Sequence, residues 1–153
     1  MPSVDGGIVI GRPVSEVFAY ATSAESHLRW VPGLADAAYL DPGPLGVGSR
    51  WRATVRFGGL TLDTVNEVTE FVADHRFAWR SVQSPVRSSG SYRFTRLGPL
   101  ATRFDYAVVS DDRLAALVGA FAMPVAMRLL RREIRSRLEA LKVCLEAGDF
   151  RVA

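Results

Sequence analysis

The chain has 153 residues and a formal net charge of +3. A chain of this length forms one domain and buries about 70% of the surface that it exposes when unfolded, so we expect a single domain over residues 1–153. The single cysteine, Cys144, excludes an internal disulfide and a cysteine-based metal cluster. No signal peptide is evident, and charges interrupt every hydrophobic stretch before it reaches membrane-spanning length, which favours a soluble cytoplasmic protein.

The first part of the chain predicts one strand and two short helices. Gly7–Ile10 is a strand candidate, and Pro13 then stands in the first turn of a helix, where its missing amide donor costs nothing. A second short helix follows, with Thr22 or Ser23 as its cap, and it ends near Trp30. Two short helices in succession therefore follow the first strand.

Six further strands, joined by short turns, are predicted between residues 35 and 110. The clearest is Ser49–Phe57, in which apolar residues alternate with arginine and threonine. In Leu60–Phe71 the alternation changes phase, which a bulge near Asn66 would explain. Consecutive strands with tight turns between them predict an antiparallel meander.

A long helix in two parts is predicted from Leu114 to Glu146. Its later part carries an apolar stripe at helical spacing, formed by Met127, Leu130, Ile134, Leu138, Leu141 and Leu145. Its earlier part has no charged side chain, and its bulky residues centre on the opposite side, so we expect a kink near Pro124. The fold class is therefore α+β, with seven strands, two short helices after the first strand, and a long C-terminal helix.

Strand alternation sends most aromatic residues to the face of the sheet that meets this helix. They are Trp51, Phe57, Phe77, Trp79, Tyr92, Phe94, Phe104 and Tyr106. Such a face either packs solid or lines a cavity, because apolar pockets and cores share their composition. These eight residues and Phe121 form the predicted ligand-binding wall, and Asn66 and Ser81 are its predicted polar groups.

Short motifs spread from about Ile8 to Leu145 carry a family resemblance. They are Ile10-x-x-Pro13-x-x-Glu16-Val17-Phe18 followed by Trp30, Gly48-Ser49 at a strand start, and Gly90-x-Tyr92-x-Phe94. With the terminal helix, this pattern resembles the START-like, helix-grip (SRPBCC) superfamily, and most of all its polyketide cyclase/dehydrase branch of small bacterial proteins. The resemblance implies a curved sheet wrapped around the C-terminal helix, enclosing an apolar cavity for lipids, sterols, polyketides or aromatic molecules. No catalytic motif is matched, so it implies no catalytic residue.

Three functions follow as hypotheses. The first is binding of a hydrophobic small molecule in the cavity, with no cofactor. The second is a polyketide cyclase or dehydratase, in which a pocket tyrosine, or Asp63 or Glu67 if the strand turns one inward, transfers protons. Two or more ionisable groups converging in the cavity would favour the enzyme. The third is an interaction protein that uses the apolar first part of the terminal helix to meet a partner or a membrane surface.

Metal and nucleic-acid sites are not expected. His27 and His75 lack any spacing typical of metal ligands, and surface or capping roles are favoured for both. Arg50, Arg52 and Arg56 share one strand face, but the aromatic residues lie on the other, which favours a solvated outer face over a nucleic-acid site. The oligomeric state stays open, and a homodimer is compatible with the sequence.

Overall fold

The structure is a computed structural model that describes residues 3–31, 34–57, 60–84, 87–110 and 123–148. Its elements follow the predicted order of one strand, two short helices, six strands and one long helix. They are β1 (Ser3–Ile10), α1 (Val14–Thr22), α2 (Ala24–Trp30), β2 (Leu34–Tyr39), β3 (Arg50–Phe57), β4 (Leu60–Val72), β5 (Arg76–Gln83), β6 (Ser88–Gly98), β7 (Ala101–Ser110) and α3 (Met123–Glu146).

The seven strands form one antiparallel sheet in the order β1-β7-β6-β5-β4-β3-β2. The meander from β2 to β7 is thus completed by β1, which pairs with β7, so that β1 and β2 are the two edges. Register shifts between β4 and β5 fall between Val65 and Asn66 and between Val68 and Glu70. The bulge predicted near Asn66 is therefore confirmed, and it explains the change of phase in β4.

Strand β3 shows how the alternating sequence separates the two faces of the sheet. Trp51 and Ala53 are buried on the inner face, whereas Arg50 and Arg52 are on the outer face, where their side chains are more than half exposed. Arg50 pairs there with Glu67 of β4, with 3.3 Å between Nε and Oε2. The outer face is therefore a water-exposed surface with ion pairs, each of which contributes at most about 1 kcal/mol.

Helix α3 covers the inner face with the stripe predicted for it. The stripe residues nearest its C-terminal end are at most 4% exposed, and they are Ile134, Leu138, Leu141 and Leu145. Gly6 of β1 permits the close approach, because a Cβ atom there would lie 3.1 Å from Cδ1 of Leu138. No helix among the described residues has the length and apolarity needed to span a bilayer.

The kink predicted near Pro124 lies outside what the structure describes. Pro124 is the second residue of α3 and is exposed, but residues 111–122, on which the bend depends, are not among the described residues. The hypothesis of a partner-binding helix rests on the same residues.

Three polar contacts fasten the end of α3 to the beginning of the chain. The Lys142 ammonium donates to the carbonyl of Val9 at 2.7 Å, and the backbone N–H of Gly11 donates to Glu146 Oε1 at 3.2 Å. Arg12 Nε donates to the carbonyl of Leu145 at 3.0 Å. The first strand and the last helix therefore form one unit.

Candidate functional site

A cavity of about 280 Å³ lies between the inner face of the sheet and helices α2 and α3. Its volume is close to the lower end of the range for small-molecule sites, about 300 to 1,000 Å³. Aliphatic and aromatic side chains form most of its wall. The polar lining residues are His27, Thr64, Asn66, Ser84, Ser88, Tyr92, Tyr106 and Arg137.

The predicted wall residues divide between this cavity and the solid core. Those that line the cavity are Trp51, Asn66, Trp79, Tyr92 and Tyr106. Those that are at most 3% exposed and lie in the core are Phe77, Phe94 and Phe104. The side chain of Phe57 and the whole of Phe121 fall outside the described residues.

Helix α1 explains why part of the aromatic face is solid. The ring of Phe18 packs against Phe94, with 5.0 Å between centroids, and Phe94 packs against Phe104 at 5.2 Å. The sheet is therefore filled where α1 covers it. Ser81 is also not among the lining residues, and its hydroxyl accepts a hydrogen bond from the Ser88 backbone N–H at 2.8 Å.

His27 is buried, so the surface role favoured from the sequence is wrong for it. Its Nδ1 lies 2.6 Å from the carbonyl oxygen of Ser23, and its Nε2 lies 3.1 Å from the hydroxyl of Tyr92. A carbonyl only accepts, so Nδ1 carries the proton, and in the neutral ring Nε2 accepts from Tyr92. Ser23, the N-cap of α2, thus orients the histidine towards the cavity.

Burial keeps both members of this pair uncharged at neutral pH. Burial lowers the pKa of His27 to about 4; the bond to Ser23 opposes the shift, and the charge of Arg137 adds to it. Burial also raises the pKa of Tyr92 well above its usual value, and neighbouring Tyr106 contributes in the same direction. The two groups therefore form a neutral hydrogen-bonded pair.

Arg137 of α3 is the only lysine or arginine among the described residues that line the cavity. Its Nη1 donates to the Tyr106 hydroxyl at 3.1 Å, and its Nη2 lies 2.6 Å from Oε1 of Glu133, one turn earlier. Its side chain is 18% exposed, whereas that of Glu133 is 35% exposed. Sequence reasoning missed Arg137 because the helix is rich in arginine; its i, i+4 spacing from Glu133 was the available signal.

Aspartate and glutamate are absent from the described lining of the cavity. Asp63, a carboxylate considered for proton transfer, accepts a hydrogen bond from the Thr54 hydroxyl at 2.8 Å at an exposed position. Glu67, the other, pairs with Arg50 and Arg80 on the outer face. Among the described residues, no cluster of histidine, cysteine, aspartate and glutamate could hold a metal ion.

Gly90 lets the indole of Trp79 lie across strand β6. The two residues are paired in the register of β5 and β6. A Cβ atom on Gly90 would lie 2.4 Å from Cζ2 and 2.6 Å from Cε2 of the indole, closer than real Cβ atoms approach another atom. The ring of Trp79 thus fills the place of the missing side chain and forms part of the cavity wall.

A curled antiparallel sheet of seven strands that holds a long C-terminal helix, with a cavity between them, defines a START-like, helix-grip protein. The chain belongs to the family described as polyketide cyclase / dehydrase and lipid transport, whose sequence model matches residues 1–146. A comparison with curated proteins gives no significant match.

Several solved structures have the same fold, and their alignments with this chain include almost all residues of both proteins. A START superfamily protein from Mycobacterium smegmatis has a TM-score of 0.77 and 15% identity, covering 95% of this chain and 97% of that one. The protein TTHA0849 from Thermus thermophilus has a TM-score of 0.76 and 18% identity, covering 96% and 99%. The ZhuI aromatase/cyclase from a Streptomyces species has a TM-score of 0.71 and 17% identity, covering 99% and 96%. At these identities the similarity establishes the fold alone.

Proposed function

We propose that this protein binds a hydrophobic small molecule, such as a lipid, a polyketide or an aromatic compound, in the cavity between the sheet and α3. The observation that carries the proposal is the wall itself, in which Trp51, Trp79, Tyr92 and Tyr106 surround a space of about 280 Å³. Each square ångström of apolar ligand surface removed from water contributes about 25 cal/mol of favourable free energy to binding. The family's description as cyclases and lipid transporters supports the same function.

Binding is expected to be visible in the intrinsic fluorescence. Trp51 and Trp79 line the cavity, whereas Trp30 is fully buried in the core. Titration with a neutral two-ring compound, 2-naphthamide, should therefore change tryptophan emission in a saturable manner. Native mass spectrometry of the purified protein should also reveal hydrophobic molecules that are retained during purification.

Ala53→Phe should fill the cavity and weaken binding of 2-naphthamide by about tenfold or more. Ala53 is 7% exposed and lines the cavity, so the added ring enters the space that the ligand occupies. Ala107→Phe is the matched control, because Ala107 lies next to Tyr106 on the opposite face of the sheet. Equal affinity in the wild type and Ala53→Phe would contradict the proposed site.

A second candidate function is an aldol-type cyclisation or dehydration of a ligand held in the same cavity. The observation that favours it is the convergence of four ionisable side chains, His27, Tyr92, Tyr106 and Arg137, on one wall. Tyr106 and Arg137 would donate hydrogen bonds to the oxygen on which negative charge develops. The Tyr92–His27 pair would transfer a proton, because a hydroxyl that is hydrogen-bonded to a neutral imidazole can donate a proton and later recover it.

This candidate is tested with heptane-2,6-dione. In its ring closure an enolate carbon bonds to the second carbonyl carbon, water leaves, and an absorbing cyclic enone forms. Tyr92→Phe should reduce the catalysed rate by about 10²-fold or more, because a positioned acid or base contributes about 10² to 10⁴. A rate equal to that in buffer, or one unchanged in Tyr92→Phe, would reject the catalytic candidate and leave ligand binding in place.

A further inference from the structure

Two polar groups of the cavity wall, the Tyr106 hydroxyl and the Arg137 guanidinium, have hydrogen-bond donors to offer a ligand. The Tyr106 hydroxyl accepts from Arg137, and among the described residues nothing accepts the proton of Tyr106 itself. The Asn66 side chain is 8% exposed and lines the cavity, and its carboxamide can both donate and accept. Arg137 presents a fork of five N–H donors, of which Tyr106 and Glu133 occupy one each. An acceptor from outside the protein would satisfy these groups.

The charge of the cavity wall also favours a ligand that accepts hydrogen bonds, and in particular an anion. Arg137 is positive, burial keeps His27 neutral at pH 7, and carboxylates are absent from the described lining. The carboxylate that balances Arg137, Glu133, is not itself among the lining residues and is about twice as exposed. A cation in the cavity would meet an unfavourable charge, whereas an anion would meet a favourable one in surroundings of low dielectric constant.

We infer that the cavity selects ligands that carry an anionic oxygen at one end of a ring system, and that Tyr106 and Arg137 are the residues that recognise it. This inference rests on the proposed function and adds a ligand class to it. The ring system lies among Trp51, Trp79 and the aliphatic wall. The oxygen, from a carboxylate, a phenolate or an enolate, accepts from the Tyr106 hydroxyl and from a free N–H of Arg137. Asn66 also lines the cavity, but on β4, three strands away from Tyr106 of β7.

Three probes of the same size and different charge test the inference. At pH 7, 2-naphthoate is an anion, 2-naphthamide is neutral and 2-naphthylmethylamine is a cation. We expect 2-naphthoate to bind about tenfold or more tightly than 2-naphthamide, as measured by isothermal titration calorimetry, because hydrogen bonds between charged groups are stronger than neutral ones. The cation should bind most weakly of the three.

Two substitutions with opposite expected effects on the affinity for 2-naphthoate test whether Arg137 recognises the anionic oxygen. Arg137→Met keeps the apolar stem and should abolish the preference for 2-naphthoate while 2-naphthamide still binds. Glu133→Gln removes the balancing charge and should increase the affinity for 2-naphthoate severalfold with little change for 2-naphthamide. If Arg137→Met does not fold, the inference is tested by Glu133→Gln alone, through the direction in which it changes the affinity for 2-naphthoate.

The outcomes separate the inference from the proposed function. Equal binding of 2-naphthoate and 2-naphthamide, a preference that survives in Arg137→Met, or no gain in Glu133→Gln would overturn the inference alone. Failure of all three probes to bind would overturn the proposed function, and the inference with it.

Discussion

Acidification from pH 7 to pH 4 should reduce the free energy of unfolding by up to about 3 kcal/mol through His27 alone. Burial lowers the pKa of His27 from 6.5 to about 4 in the folded protein. Between pH 6.5 and pH 4 the unfolded chain binds a proton at His27 that the folded chain does not, so the free energy of unfolding falls as the pH falls. Below pH 4 both states bind the proton, and the loss from this residue levels off.

Chemical denaturation of the wild type and of His27→Gln at a series of pH values measures this effect. A glutamine side chain does not titrate in this range, so the variant should show a smaller loss between pH 6.5 and pH 4 than the wild type. His75→Gln is the matched control, because His75 lies exposed in the turn between β4 and β5. A loss in His27→Gln as large as that in the wild type would show that His27 is not its source.

Gly90→Ala should destabilise the fold by about 1 to 3 kcal/mol, because the new methyl group overlaps the indole of Trp79. Its Cβ would lie 2.4 Å from Cζ2 of that ring, which lies across the pairing of strands β5 and β6. The ring must move away from β6, so the fluorescence of Trp79 and the affinity for 2-naphthamide should change as well. Alanine elsewhere in a strand is on average more favourable than glycine, which makes a net loss here informative.

Gly98→Ala provides the comparison within the same strand. Gly98 ends β6, and a Cβ atom added there would have no other atom within 4 Å. Its backbone is also not in the left-handed conformation that would disfavour alanine. This variant should match the wild type or exceed it slightly in urea denaturation. Equal stability of the Gly90 and Gly98 variants would show that contact with Trp79 does not constrain position 90.

Local patterns account for most of the fold. Alternation in β3 predicted which of its side chains are buried, and the phase change in β4 predicted the bulge at Asn66. The stripe that ends at Leu145 predicted the face of α3 that docks on the sheet. These features follow from the periodicity of apolar residues within one strand or one helix, and that periodicity can be seen directly in the sequence.

The division between core and cavity could not be predicted in the same way. Phe94 and Tyr92 are two residues apart on one face of β6, and strand alternation treats them alike, although only Tyr92 lines the cavity. The difference arises because α1 places Phe18 against Phe94. The alternation rule records the face of a side chain and carries no information on its position along the sheet.

The polar residues of the cavity were harder still to recognise. His27 meets Tyr92 across 65 positions of sequence, and Arg137 meets Tyr106 across 31. Each stands among other polar residues on a short or arginine-rich helix, so its neighbours give no sign of burial. Only the packing of α2 and α3 against the sheet brings these side chains to one wall.

The contacts between α3 and the residues at the end of β1 bear on the order in which the fold can assemble. Lys142 and Glu146 bond to Val9 and Gly11, which precede them by more than 130 positions. The ribosome makes α3 after all seven strands, so the helix that covers the inner face is not available when those strands are synthesised. The cavity can therefore form only after α3 has been synthesised, and a ligand can be enclosed only after that point.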